Sequence, residues 1–193
     1  MNLEDLSDFM MDDDLGDDKK KKIKSSSKGK RVEREVVDLL NNRFKDILSK
    51  NPDWGKFSRT IGSGNRFGQK VVLPKYANNL FAGDLITPGT KFNFSIESKG
   101  GYNDIDLCTA FDGKCVELDK FIKQAEADSV RANKKPLVLW KKDRKKRLAI
   151  LELEILKGSA DVSNMMKYKA KWAILSFDDL LMFPDDFWFD LNV

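Results

Sequence analysis

In the run Phe92-Asn93-Phe94-Ser95-Ile96-Glu97-Ser98-Lys99, apolar side chains recur at every second position. An extended strand with that spacing carries Phe92, Phe94 and Ile96 on one face and Glu97 and Lys99 side by side on the other. Asp84 lies near the end of the preceding apolar run, directly after Gly83. A buried aspartate there is costly unless a cation or a hydrogen-bond network receives it. The pattern is Asp-x12-Glu-x-Lys. Two carboxylates on paired strands can bind one divalent ion, and a lysine beside them can stabilise or help to deprotonate a water attacking a phosphodiester. Alone the pattern is weak, because Glu-x-Lys on an exposed strand face is usually a charge pair.

The 193 residues include no histidine. Serine-histidine-acid hydrolysis, nucleases with a histidine base and histidine-bearing zinc sites are excluded. Carboxylate and lysine chemistry around a hard ion such as Mg²⁺ or Mn²⁺ remains. Cys108 and Cys115 show no CxxC spacing and read as reduced, inert thiols.

The elements that must position the acids follow from periodicity. Val32, Val36, Leu39, Leu40, Phe44, Ile47 and Leu48 predict one amphipathic helix over Lys30–Lys50, stopped by Asn51-Pro52. A short strand follows at Lys56–Thr60, then a glycine-rich loop from Gly62 to Gln69. Leu80–Ile86 and Phe92–Lys99 read as a central hairpin around Thr87-Pro88-Gly89-Thr90. A second helix is expected from Glu117 to about Ala132, and further strands at Leu137–Trp140, Leu148–Leu153 and Trp172–Ser176. The order of helix, strands, helix, strands indicates an α/β or α+β sandwich.

The net charge of +4 conceals a split. Residues 1–18 hold eight acids and no base, so the remainder carries +12, as suits a protein drawn to a polyanion. With Lys19–Lys22, Lys24 and Ser25–Ser27, this acidic block is too poor in apolar residues to fold, which predicts a disordered tail over 1–28 and a single ordered domain over 29–193. Leu3, Leu6, Phe9, Met10, Met11 and Leu15, interleaved with the tail's acids, would suit docking on a protein partner or masking the protein's own DNA cleft. No membrane span or signal peptide is visible, and a cytoplasmic protein of a prokaryote, or of a virus in its host, is expected.

Further motifs surround the acids. Gly29, Glu33 and Arg34 open the first helix, Arg59, Ser63 and Gly64 follow in the next strand and loop, then come Asp84, Glu97/Lys99 and Gln124-Ala125-Glu126. This ordered set resembles the PD-(D/E)XK nuclease superfamily, and within it the Holliday junction resolvases of archaea and viruses, over about residues 28–155. The resemblance implies a restriction-endonuclease-like α/β fold, a mixed central sheet flanked by helices. It implies that Glu33, Asp84 and Glu97 ligate Mg²⁺, or Mn²⁺ in its place, directly or through water, with the Ser98 carbonyl completing the set. It implies that Lys99 acts on the attacking water, that Ser63 contacts the scissile phosphate and that Gln124 positions Lys99. Arg34 and Arg59 would hold neighbouring phosphates, with Lys30 and Arg31 beside them as further DNA-binding candidates.

The expected substrate is branched DNA, above all the four-way junction, cut by a homodimer because one chain carries one site. A nuclease for duplex or flapped DNA and a non-catalytic DNA-binding module are the alternatives. The sequence departs from the resolvase pattern in three ways: Gly83 stands where a proline is usual, and the segments Phe67–Asn79 and Gly100–Lys114 are longer. Residues from about 156 to 193 have no counterpart in it and read as a C-terminal extension. Their aromatic residues suit a core or a dimer contact, with Leu180, Leu181, Phe183, Phe187 and Phe189 as the candidates for an interface.

Overall fold

The computed structural model describes residues 25–60, 82–157 and 164–191. The acidic tail 1–18, most of the lysine-serine linker and the loop holding Ser63 and the segment Phe67–Asn79 lie outside the described residues.

Two helices, α1 (Ser25–Arg43) and α2 (Lys45–Lys50), replace the single helix expected over Lys30–Lys50. Helical hydrogen bonds run on across the junction, from Phe44 N–H to Leu40 O and from Leu48 N–H to Phe44 O, both at 3.0 Å. The break falls at Phe44, whose backbone leaves helical geometry at φ −103° and ψ 17°. Its ring is inserted among Phe57, Phe92, Trp188 and Phe189, with centroids 5.0 to 6.4 Å away. At the other end, α1 begins at Ser25, four residues ahead of Gly29.

Five strands build the central sheet: β3 (Phe94–Gly100), β4 (Lys135–Lys141), β5 (Arg147–Glu152), β6 (Met165–Tyr168) and β7 (Trp172–Ser176), in the order β3-β4-β5-β7-β6. β3 and β4 are parallel and the other pairs antiparallel. A short helix α3 (Cys108–Phe111) and the long helix α4 (Val116–Ala132) form the crossover that the parallel pair requires. Of the expected hairpin of Leu80–Ile86 with Phe92–Lys99, Leu80 and Phe81 lie outside the described residues, and Leu85 and Ile86 do not form a ladder with β3. Instead β1 (Ser58–Arg59) pairs antiparallel with β2 (Leu85–Ile86) in a separate two-stranded sheet.

Alternation along β3 divides the core as the sequence predicts. Phe94 and Ile96 join Val36, Leu40, Phe44, Leu137, Leu139, Leu151 and Leu175 beneath α1. The other face of the sheet packs Val138, Trp140, Ile150, Trp172 and Ile174 against Leu118, Phe121, Ile122 and Ala125 of α4. The face bearing Glu97 and Lys99 is therefore roofed by a helix. That burial on both faces suits a strand in parallel pairing.

Residues 164–191 are integral to this domain. They supply β6 and β7, then α5 (Phe177–Leu181) and α6 (Asp185–Trp188). Phe189 bridges to Phe92, and Asn93 N–H donates to Trp188 O at 2.8 Å. The residues proposed for a dimer interface are mostly core: Leu180, Phe183 and Phe189 are buried, and Leu181 and Phe187 pack against the same cluster half-buried.

Candidate active site

The site is assembled at the outer edge of β3. Among the described residues β3 has no strand neighbour along that edge, and the segment Ala82–Asp84 lies there instead: Asp84 N–H donates to Ile96 O at 2.9 Å, and Ser98 N–H donates to the Asp84 carboxylate at 2.9 Å. The aspartate side chain thus accepts the hydrogen bond that a neighbouring strand's carbonyl would take. From its other side Thr60 N–H donates to Asp84 O at 3.0 Å, which ties β1 to the same residue.

Gly83 makes this approach possible. Its φ is +84°, and a Cβ there would lie 2.6 Å from Ile96 O. A proline, locked near φ −65°, cannot adopt that conformation. A second close approach sets the helix: a Cβ at Gly100 would lie 2.6 Å from Val32 Cγ2, so α1 lies directly on the end of β3 and brings Glu33 to the site.

Glu97 is 1% exposed, and neither carboxylate oxygen receives a hydrogen bond. The Lys99 ammonium stands 2.5 Å from Glu97 Oε1, an ion-pair distance without hydrogen-bond alignment. Lys99 instead donates to Gln124 Oε1 of α4 at 2.8 Å and lies 5.6 Å from the centre of the Phe121 ring. Burial, and then the charge of Asp84, push the Glu97 carboxyl up to about 7. Asp84 is also raised, chiefly by burial and in part by the charge of Glu33, against the Ser98 N–H bond that lowers it. Both groups resist being charged together, a form of tension that a cation relieves.

Asp84, Glu97, Lys99, Ser98 and Gln124 are therefore brought together. Glu33 reaches the same edge, but its carboxylate is held by Arg59, whose Nε donates to Oε2 at 2.7 Å and whose terminal nitrogen lies 2.6 Å from the same oxygen. Arg59, expected as a free phosphate clamp, is thereby the counter-ion of Glu33. Among the described residues no three acids are grouped as a metal cluster. Lys30, Arg31 and Arg34 are exposed on α1, with Arg31 3.9 Å from Glu35. Ser63 lies outside the described residues. Two features were missed in the sequence. Phe121 reads there only as one apolar residue of a helix face, and the Ser98 N–H that binds Asp84 carries no side-chain signal at all.

These residues fit a hard divalent cation. The donors are oxygens, those of Glu97 are buried without a hydrogen-bond partner, and two carboxylates with water suffice for Mg²⁺.

Residues 24–183 match the family described as "Phage putative PDDEXK endonuclease". The chain belongs to this family. Its fold is the α/β restriction-endonuclease-like one, a mixed five-stranded sheet flanked by helices. No curated protein and no solved structure matches the chain. Membership of the PDDEXK endonuclease family makes the chain a nuclease. Among the described residues no helix is long and apolar enough to cross a membrane.

Proposed function

We propose that this endonuclease is a divalent-metal-dependent enzyme that cuts branched DNA, with the four-way junction as its substrate. The observation that carries the metal dependence is the pairing of Asp84 with Glu97, a half-buried and a fully buried carboxylate, both with raised pKa values, beside one lysine. Asp84, Glu97 and the Ser98 carbonyl would hold Mg²⁺ or Mn²⁺, with Glu33 acting through water. When bound, such an ion supplies a Lewis acid for the scissile phosphate and lowers the pKa of water.

Lys99, fixed by Gln124, holds its ammonium where it can assist the attacking water and offset charge on the phosphate. Ser63 would orient that phosphate. Arg34, Lys30 and Arg31, exposed on α1, would bind phosphates flanking the cut, while Arg59 acts through Glu33. The junction preference rests on the ordered resemblance to resolvases and on the +12 charge beyond residue 18. Two symmetric cuts would need two chains, and the acidic tail would dock on a partner or on the DNA cleft. Such an enzyme would act in the cytoplasm of a phage's host.

One observation favours a second reading, cleavage of duplex or flapped DNA by a single chain: the side chains proposed for the dimer interface are largely core. Incubation of the protein with junction, duplex and flap DNA, each with Mg²⁺ and with EDTA, separates the readings. Mg²⁺-dependent cuts in the junction alone support a resolvase. Equal cutting of linear duplex defeats it, and cutting in EDTA defeats the metal.

A further inference from the structure

We propose that the β4–β5 hairpin tip is a second DNA-contacting element, a stiff arm that binds the phosphate backbone beyond the scissile position. The proposal rests on the nuclease reading. The hairpin continues the sheet directly past the catalytic residues, since Lys99 pairs in register with Trp140 and Gly100 with Lys141. Its strands close at the pair Lys141 and Arg147, leaving the tip Lys142-Asp143-Arg144-Lys145-Lys146. Arg144 is four residues past Trp140, the partner of Lys99, and so lies at most about 13 Å beyond Lys99 at about 3.3 Å per residue, the axial rise of about four base pairs.

Several contacts that brace the tip lead to the site's own elements. Asn103, in the loop that leaves β3, donates from Nδ2 to Asp143 at 2.7 Å and accepts the Asp143 N–H at 2.8 Å. The Lys142 ammonium donates to Ile105 O, and Gly101 N–H donates to Lys141 O at 2.9 Å. Below the tip, Glu35 of α1 receives both Lys141, at 2.6 Å, and Arg147, at 3.2 Å. The acids nearest the tip are thus engaged in bracing it. Arg144, Lys145 and Lys146 are left exposed, and Lys146 lies 3.7 Å from Asp178 with both side chains largely in water. Arg144 adopts φ +58°, a conformation uncommon outside glycine and asparagine. A loop held from two sides with three adjacent cations pointing outward is prepared for a ligand with regularly spaced negative charge, which is the DNA backbone.

The test is the salt dependence of binding to a fluorescent 20-base-pair duplex, measured in EDTA so that it reads the arm whether or not the protein cleaves. Arg144→Asn/Lys145→Gln/Lys146→Gln keeps a residue tolerant of positive φ at 144. It should bind about 10- to 100-fold more weakly at 0.1 M salt, with the slope of log affinity against log salt smaller by about 2 to 3. An unchanged thermal midpoint shows that it folds, and Lys145→Gln/Lys146→Gln, which leaves Arg144 in place, should lose about 2 of slope. The comparison variant Lys45→Ala/Lys50→Ala/Lys135→Ala removes the same charge from exposed positions away from the tip and should keep nearly the full slope. Unchanged binding by the tip variants, or equal losses in the comparison variant, overturns the proposal. Failure of the nuclease reading has a different signature, intact DNA after incubation of the wild-type protein with Mg²⁺.

Discussion

Gln124 accepts a hydrogen bond from the Lys99 ammonium at 2.8 Å, reaching from α4 to the edge strand. The Lys99 ammonium also lies 2.5 Å from Glu97, but without hydrogen-bond alignment, so Gln124 directs where it points. Gln124→Ala should lower single-turnover cleavage about tenfold, the loss expected for a hydrogen bond to a charged group, with DNA affinity in EDTA unchanged. Gln124→Glu, which keeps the acceptor, should recover most of the rate. Wild-type turnover in the alanine variant would remove Gln124 from the site.

Glu97→Gln and Asp84→Asn should each abolish cleavage and leave DNA binding near normal, because a cation ligand is lost while the basic surface is untouched. Lys99→Ala should lose turnover and keep Mg²⁺ binding, since an ammonium does not coordinate the ion. Calorimetry with Mg²⁺ separates the two classes; cleavage within tenfold of wild type in either acid variant contradicts the assignment.

Proton linkage at Glu97 runs opposite to that of an ordinary surface carboxylate. Its folded pKa is raised from 4.5 to about 7, so between those values the folded state binds more protons than the unfolded one. Stability therefore falls as pH rises through that window. In EDTA, denaturation midpoints of the wild-type protein should decline from pH 5 to pH 7, and Glu97→Gln should show a flatter profile and greater stability at pH 8. Because a cation and a proton compete for the same oxygens, Mg²⁺ affinity should rise over the same interval. A wild-type midpoint that climbs with pH would contradict the burial of Glu97.

Phe189 stacks on Trp54 at 5.5 Å and meets Phe44 and Phe92 edge-on at 5.0 and 5.4 Å, all within one chain. Phe189→Ala should cost about 3 to 5 kcal/mol of folding stability. The loss should be the same at low and high protein concentration. A loss that shrinks as protein concentration rises would return Phe189 to an interface.

Much of this was legible from spacing alone. The alternation in Phe92–Lys99 set the two faces of β3, and the apolar rows of Val32–Phe44 and Leu118–Ala125 marked the helices that cover them. Pairing was not legible, because a strand's partner is fixed by distant chain. Asp84 ends its own ladder by giving Ser98 a side-chain acceptor, and no local signal announces that. β6 escaped notice for a related reason. Its turn into β7 runs through Lys169 and Ala170 at φ +48° and +56°, positions that usually advertise themselves with glycine or asparagine. The Glu33–Arg59 pair joins residues 26 apart, and sequence order gives both residue types without showing that one neutralises the other.

Gly83 carries no functional group, yet any side chain at that position would press on the carbonyl of Ile96 and shift the residue that follows it. In a map of tolerated substitutions, Gly83 should therefore be as intolerant as Asp84. Selection for chemistry at one residue would be recorded at its neighbour, so an inventory of reactive side chains understates how much of this chain the reaction constrains.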